Sequence, residues 1–224
     1  MDRKAVALIF IGLMVVASFG TLIYGYTRFD SVVHRGNPLA VKAIEVPYAN
    51  QRYTILLGSF ITGDPTVDLN VTLRAVYDEA TLIVGDSSFK GCSGDACVWR
   101  TRTSAELGAT IGALMGRKYY YQAIVEGKDN ATAERIAMEE AKARIHTEYL
   151  AFMNKAMLGL GRIGNSRHLV VLLIGPREGA KSNRIYTPRQ GVLVLEATDE
   201  KTLFVEVLVV KTIINSQVGQ ITEG

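Results

Sequence analysis

The feature that most constrains this chain is a run of 22 residues, Ala5 to Tyr26 (AVALIFIGLMVVASFGTLIYGY), with no charged side chain. At about 1.5 Å of rise per residue, a helix of this length covers roughly 30 Å, the thickness of a bilayer's hydrocarbon core. Arg3 and Lys4 precede the run, and Phe19, Tyr24 and Tyr26 cluster toward its far end. Basic residues suit a cytoplasmic start, and aromatic residues suit a membrane interface. Arg28 and Arg35 on the other flank weaken that asymmetry. This pattern predicts a cytoplasmic N-terminus at 1–4, a transmembrane signal-anchor helix at 5–26 and a linker at 27–50. A domain at 51–215 and a flexible tail at 216–224 follow. The protein is then a single-pass cell-membrane protein with its C-terminal domain extracytoplasmic.

Two other readings export the domain as well. Val6 to Val16 has the length of a signal-peptide apolar region, with Ser18-Phe19-Gly20 as a small-residue cleavage site. Lys4-Ala5-Val6 resembles the short basic cleavage site of archaeal pilin-type (class III) signal peptides. That resemblance implies that the apolar helix is retained as the core of a filament.

The remaining chain is long enough for one buried core, because domains mostly run to about 100–200 residues. The net charge of +3 is small, and no block of lysine and arginine appears, so a dedicated nucleic-acid binder is excluded. Cys92 and Cys97 stand close together in Gly91-Cys-Ser-Gly-Asp-Ala-Cys97. In an exported chain this reads as a disulfide that staples a loop, contributing roughly 2 kcal/mol. Zinc needs about four ligands, and His34, His146 and His168 sit at no ligand-like spacing to the pair. Nothing else in the sequence calls for a metal or a cofactor.

Hydrophobic periodicity predicts the elements. Arg52–Ile61 is rich in β-formers and ends in the turn Thr62-Gly63-Asp64-Pro65. Val67, Leu69, Val71, Leu73 and Ala75 alternate with polar residues, the period of a half-wet strand. Ala80–Val84 is a short apolar run. Thr103–Glu106 has capping-box form and opens a helix to about Met115, with Gly108, Gly112 and Gly116 on one face for close packing. Lys118–Val125 reads as a strand, and Ala131 to about Leu158 as a long amphipathic helix. His168–Ile174, Val192–Ala197 and Thr202–Ile214 read as strands, the last two joined by a hairpin at Thr198–Lys201. The fold class expected is α+β: a mixed sheet of about six or seven strands with two helices packed on it, after one N-terminal transmembrane helix.

Few segments carry chemistry. Gly159-Leu-Gly161-Arg-Ile-Gly164 matches a dinucleotide fingerprint literally, but its glycines leave a helix and precede a strand, the reverse of the order phosphate binding needs. Leu82-Ile-Val-Gly85-Asp-Ser87-Ser-Phe-Lys-Gly91 resembles the first sequence block of the SGNH (GDSL-type) hydrolases, which implies Ser87 as nucleophile. Those families supply base and acid from an Asp-x-x-His near the C-terminus, and this chain has none. Gly175 to Gly191 reads as a long loop bearing Arg177, Lys181, Arg184 and Arg189 against the single acid Glu178. Long loops in compact domains tend to be functional or disordered. Its charge favours an anionic ligand, an acidic protein surface or an acidic glycan. Asn70-Val-Thr72 and Asn130-Ala-Thr132 are glycosylation sequons, with Asn130 also placed to cap a helix.

No nucleophile, base and acid assemble in the sequence. The function expected is therefore a non-enzymatic cell-envelope module that binds a partner or assembles with copies of itself. A serine hydrolase using Ser87 and a pilin-like subunit are the alternatives.

Overall fold

The computed structural model describes residues 37–73, 79–84, 94–149 and 167–221. In chain order these form β1 (Ala40–Tyr48), β2 (Gln51–Ser59), α1 (Pro65–Leu73), β3 (Glu79–Val84) and α2 (Asp95–Val125). Next come α3 (Asn130–Arg144), β4 (Ile145–Tyr149), β5 (His168–Ile174) and a 3-10 turn at Pro176–Glu178. The last elements are β6 (Arg184–Arg189), β7 (Val192–Glu196) and α4 (Glu200–Ile221).

The strands make one mixed sheet in the order β1-β2-β6-β7-β5-β3-β4, with five inner strands and an edge strand on either side. β1 and β2 form an antiparallel hairpin whose tight turn holds Ala49 and Asn50 at φ 48° and 62°. That left-handed pair matches the twist of a hairpin. β6 and β7 form a second antiparallel hairpin, and β5, β3 and β4 run parallel beside β7. After β3 the chain returns to the sheet on one side, at β4, and after β5 on the other, at β6 and β7. The carboxyl ends of β3 and β5 therefore flank a topological switch point, the position where open α/β sheets bind ligands.

One face of the sheet carries the main core. Ile55, Leu57, Leu169, Val171, Leu173, Ile185, Leu193 and Leu195 meet Leu69 and Leu73 of α1, Leu107, Ile111 and Met115 of α2, and Leu203, Val207 and Val210 of α4. The other face has a smaller cluster of Val170, Leu172, Ile174, Tyr186, Val192 and Val194, with Phe60 and Ala180 against it.

Several sequence expectations are corrected here. There are four described helices rather than two, and none is long and apolar enough to cross a membrane. The predicted transmembrane helix at 5–26 lies outside the described residues. β1 occupies part of the stretch read as linker. The alternating segment after Pro65 is α1, a helix: Asp64 accepts from the amides of Thr66 and Val67, and Leu69 and Leu73, four apart, turn inward. Val67 and Val71 stay 42% and 36% exposed, so the apparent alternation spread apolar residues over two helix faces. Thr202–Ile214 is likewise the body of α4. Asp199 caps it by accepting from the amide and hydroxyl of Thr202, and Leu203, Val207, Val210 and Ile214 follow helical spacing. A continuous apolar run does not by itself tell a covered strand from a buried helix.

The expected strand Lys118–Val125 is the end of the 31-residue α2, and the Thr103 of the supposed capping box is buried within it, bonding back to the Trp99 carbonyl. Gly116 lies against the backbone of Ala137, which lets α2 and α3 pack closely. The long helix predicted from Ala131 stops at Arg144 and gives way to β4. Its start is capped by Asp129, whose carboxylate accepts from the Thr132 amide, rather than by Asn130. The Gly175–Gly191 segment is no plain loop, since it contains the 3-10 turn and β6.

Candidate functional site

Register brings much of the chain's polar chemistry to one edge of the sheet. Ile174 at the end of β5 pairs with Glu196 at the end of β7, Glu196 pairs with Arg184 at the start of β6, and Val84 at the end of β3 pairs with Leu173. β2 runs parallel to β6, so the β1–β2 turn projects from the same edge. The first turns of α2 and α4 meet there too.

Arg100 of α2 is the centre of this edge. It is 3% exposed, and its guanidinium faces two carboxylates. Nε and Nη2 donate to Glu200 at 2.8 and 2.7 Å, and Nη1 and Nη2 donate to Glu178 at 3.1 and 2.8 Å. The planar fork of arginine suits this double bidentate capture. Glu178 also accepts from the Gly175 amide at 2.6 Å, closing the 3-10 turn. A Cβ at Gly175 would fall 2.5 Å from Arg100 Nη2, so a larger residue there would displace the guanidinium from its pairing.

A second pair lies beside the first. Glu196, 1% exposed, accepts from the Lys181 amide at 2.8 Å and from Arg184 Nε at 2.7 Å, and the Arg184 guanidinium stands 4.6 Å over the Tyr186 ring. Residues 175–184 are thus held at both ends by buried carboxylates. Of the four cations singled out in the sequence, Arg177 and Lys181 are exposed on this held segment, Arg184 is half-buried in its ion pair, and Arg189 lies half-buried at the far end of β6. The sequence showed the charges of this segment. It did not show that buried acids from elsewhere would hold them, because Glu196 fell within the strand expected at Val192–Ala197 and Glu200 within the hairpin expected at Thr198–Lys201.

Outside that network, aromatic rings gather. Tyr48 packs edge-on to Trp99 at 6.3 Å and against Phe204 at 5.6 Å, and Trp99 and Phe204 stand 5.5 Å apart. Tyr53 lies 6.4 Å from Tyr48. Arg102 stands over Trp99 at 5.1 Å, while Lys201 lies 5.9 Å from Trp99 and 5.7 Å from Tyr53. Nothing in the sequence linked these residues, which come from the first hairpin and two helix starts.

A further buried acid, Glu206 of α4, is 0% exposed, and neither of its oxygens has a hydrogen-bond partner at ordinary geometry among the described residues. Burial raises its pKa well above the ordinary 4.5, the nearby carboxylates Glu196 and Asp199 push the same way, and the backbone and charge of Arg184 offset this only in part.

Ser87, Cys92 and the glycines at 159–164 lie outside the described residues, so the nucleophile and disulfide expectations fall there; Cys97 itself is in the first turn of α2. His168 pairs with Glu79 at the opposite end of β3 from Val84, five residues or about 17 Å away along the strand. His146 is exposed near the start of the edge strand β4, opposite Thr81. Asn70 is half-buried in α1, and Asn130 is exposed at the start of α3. Among the described residues, no three His, Cys, Asp or Glu side chains gather as a metal site. Two clefts of about 150 and 300 Å³ open between α2 and α4 and between α2 and α3, both away from this edge. No protein-family model, curated protein or solved structure matches this chain.

Proposed function

We propose that the chain is a non-enzymatic cell-envelope module, tethered to a membrane through its uncharged N-terminal run, whose domain presents a fixed cationic segment to an anionic partner. The observation that carries this reading is the double pinning of residues 175–184. Arg100 holds the turn through Glu178, and Glu196 holds the Lys181 amide. Arg177 and Lys181 therefore extend from ordered backbone, and little conformational entropy remains to be lost when an anion binds. The same network speaks against these groups as catalysts, since the buried acids and arginines satisfy one another.

The test uses the full chain in detergent and a column of immobilised polyanion such as dextran sulfate. Wild type is expected to be retained at low salt and to elute earlier as Arg177→Ala/Lys181→Ala. A wild type that flows through at about 50 mM salt, where screening is weak, overturns the reading. Labelling by a serine-directed fluorophosphonate probe that disappears in Ser87→Ala would overturn its non-enzymatic part.

A further inference from the structure

Past Gly116 the hairpin of α2 and α3 has little core of its own. Its fully buried residues are Ala123, Ala133, Ala137 and Ala141, all alanine. A helix of about 15 residues is marginal without tertiary packing, and an alanine brings only one methyl group to that packing. Tyr121, Val125 and Met138 of the same hairpin are exposed, Met138 at 73%. Met138 is one residue on from the buried Ala137, about 100° round the helix, so it stands to the side of the seam with α2 rather than in it.

The charges around Met138 fall into two groups. Arg135 pairs with Glu139, and Arg144 with Glu140, each pair one turn apart on α3 itself. Glu134 and Lys142 are exposed and have no ion-pair partner among the described residues. They lie four residues before and four after Met138 on one stripe of the helix, about 6 Å to either side along its axis. A stripe that reads acid, methionine, base is complementary to itself when reversed. Two copies of α3 set antiparallel across a twofold axis at Met138 bring Glu134 of each copy opposite Lys142 of the other, and the two methionines together. A parallel pair would oppose like charges. A membrane surface is a poorer match, because α3 carries three acids and three bases, without the cationic excess that an anionic bilayer attracts.

We infer that Glu134, Met138 and Lys142 form a self-association surface through which two copies of this chain pair α3 against α3 in antiparallel order. The second copy supplies the apolar neighbour that Met138 lacks within its own chain and the opposite charges that Glu134 and Lys142 lack. The surface shares no residue with the pinned segment 175–184, so dimerisation and polyanion binding stand or fail separately.

Sedimentation equilibrium of the full chain in density-matched detergent reads the association directly. Wild type is expected to dimerise reversibly in the micromolar range, as suits a small interface. Glu134→Lys and Lys142→Glu are each expected to weaken dimerisation about tenfold or more, because two attractive contacts become two repulsive ones. Mixed in equal amounts, these two variants are expected to regain wild-type affinity as a heterodimer, in which every contact between positions 134 and 142 is again of opposite sign. Both positions are exposed, and a melting temperature close to that of wild type confirms that each variant is folded. A wild type that stays monomeric at about 100 µM overturns the inference. So do single variants that dimerise as tightly as wild type, which would place the contact elsewhere on the chain, and a mixture that associates no better than its components.

Discussion

Arg100 and Glu206 stand on packed neighbouring helices and are buried alike, at 3% and 0% exposure, yet the molecule treats them in opposite ways. Arg100 receives two carboxylates in good geometry, and Glu206 has no ion-pair or hydrogen-bond partner of ordinary geometry among the described residues. A charge can be carried into a core only if its lost hydration is replaced, and a carboxyl can avoid that requirement by keeping its proton, as an arginine cannot. The paired centre therefore ties three segments of chain together, and the unpaired one is a cost that depends on pH.

The largest test of that contrast is Arg100→Met, which keeps bulk and removes charge. It leaves Glu178 and Glu200 buried without a cation and is expected to cost about 3–5 kcal/mol in chemical denaturation, with the 175–184 segment losing hydrogen-exchange protection. A variant as stable as wild type would mean that the two acids find water or protons at little cost, and the contrast with Glu206 would dissolve.

Asp68 is an intermediate case, since it is a buried carboxylate satisfied without any cation among the described residues. It accepts from the hydroxyls of Ser59 and Thr62 and from the amides of Phe60, Ile61 and Thr62. Burial works against its ionisation, and the Thr62 and Ser59 hydroxyls with the Ile61 and Phe60 amides outweigh it, so its pKa is lowered. Folding thus favours the ionised form. Its contribution is complete above the usual carboxylate range near pH 4 and is lost as pH falls below it. Asp68→Ala is expected to cost about 2–3 kcal/mol at pH 7, orphaning the loop amides, and to lose less against wild type at pH 3. An equal loss at both pH values would show that the side chain matters by packing alone.

How much of this was legible in the sequence depends on reach. Local signals worked where the partner was close: His168–Ile174 read as an apolar strand, and it is the buried β5. They failed at α1 and α4, because apolar residues that the helix splits between faces look alternating or continuous on paper. The candidate site was half legible. Arg177 and Lys181 stood out as charges in a Gly- and Pro-rich stretch, but Arg100 and Glu200 are 100 residues apart, and no spacing rule pairs them. The aromatic cluster was invisible for the same reason, since the fold alone brings Tyr48 to Trp99 and Phe204.

Glu206→Leu sharpens the other side of the comparison. Because burial raises the Glu206 pKa, its unfavourable contribution grows as pH rises from about 4.5 toward the raised value of the folded state. Leucine removes that contribution and the two unpartnered oxygens together. The variant is expected to be more stable than wild type by roughly 1–3 kcal/mol at pH 8, with a smaller gain at pH 4, read from denaturation midpoints across pH. A destabilised variant with no pH trend would show that the carboxyl has a partner after all and belongs with Arg100.

The smallest effect expected comes from the same chemistry moved to the surface. Arg135 and Glu139 pair at 3.0 Å one turn apart on α3, a distance close to those around Arg100, but both side chains are 63% exposed. Water already solvates each charge, so forming the pair replaces little lost hydration, and ordering two long side chains offsets much of the attraction. Arg135→Ala is expected to change stability by no more than about 0.5 kcal/mol, and 1 M salt is expected to shrink even that difference. Salt should leave the cost of Arg100→Met nearly unchanged, because ions do not enter a site that is 3% exposed. If the two variants instead responded to salt alike, burial could not be what separates them, and the strength of the Arg100 centre would have to be sought in its geometry alone.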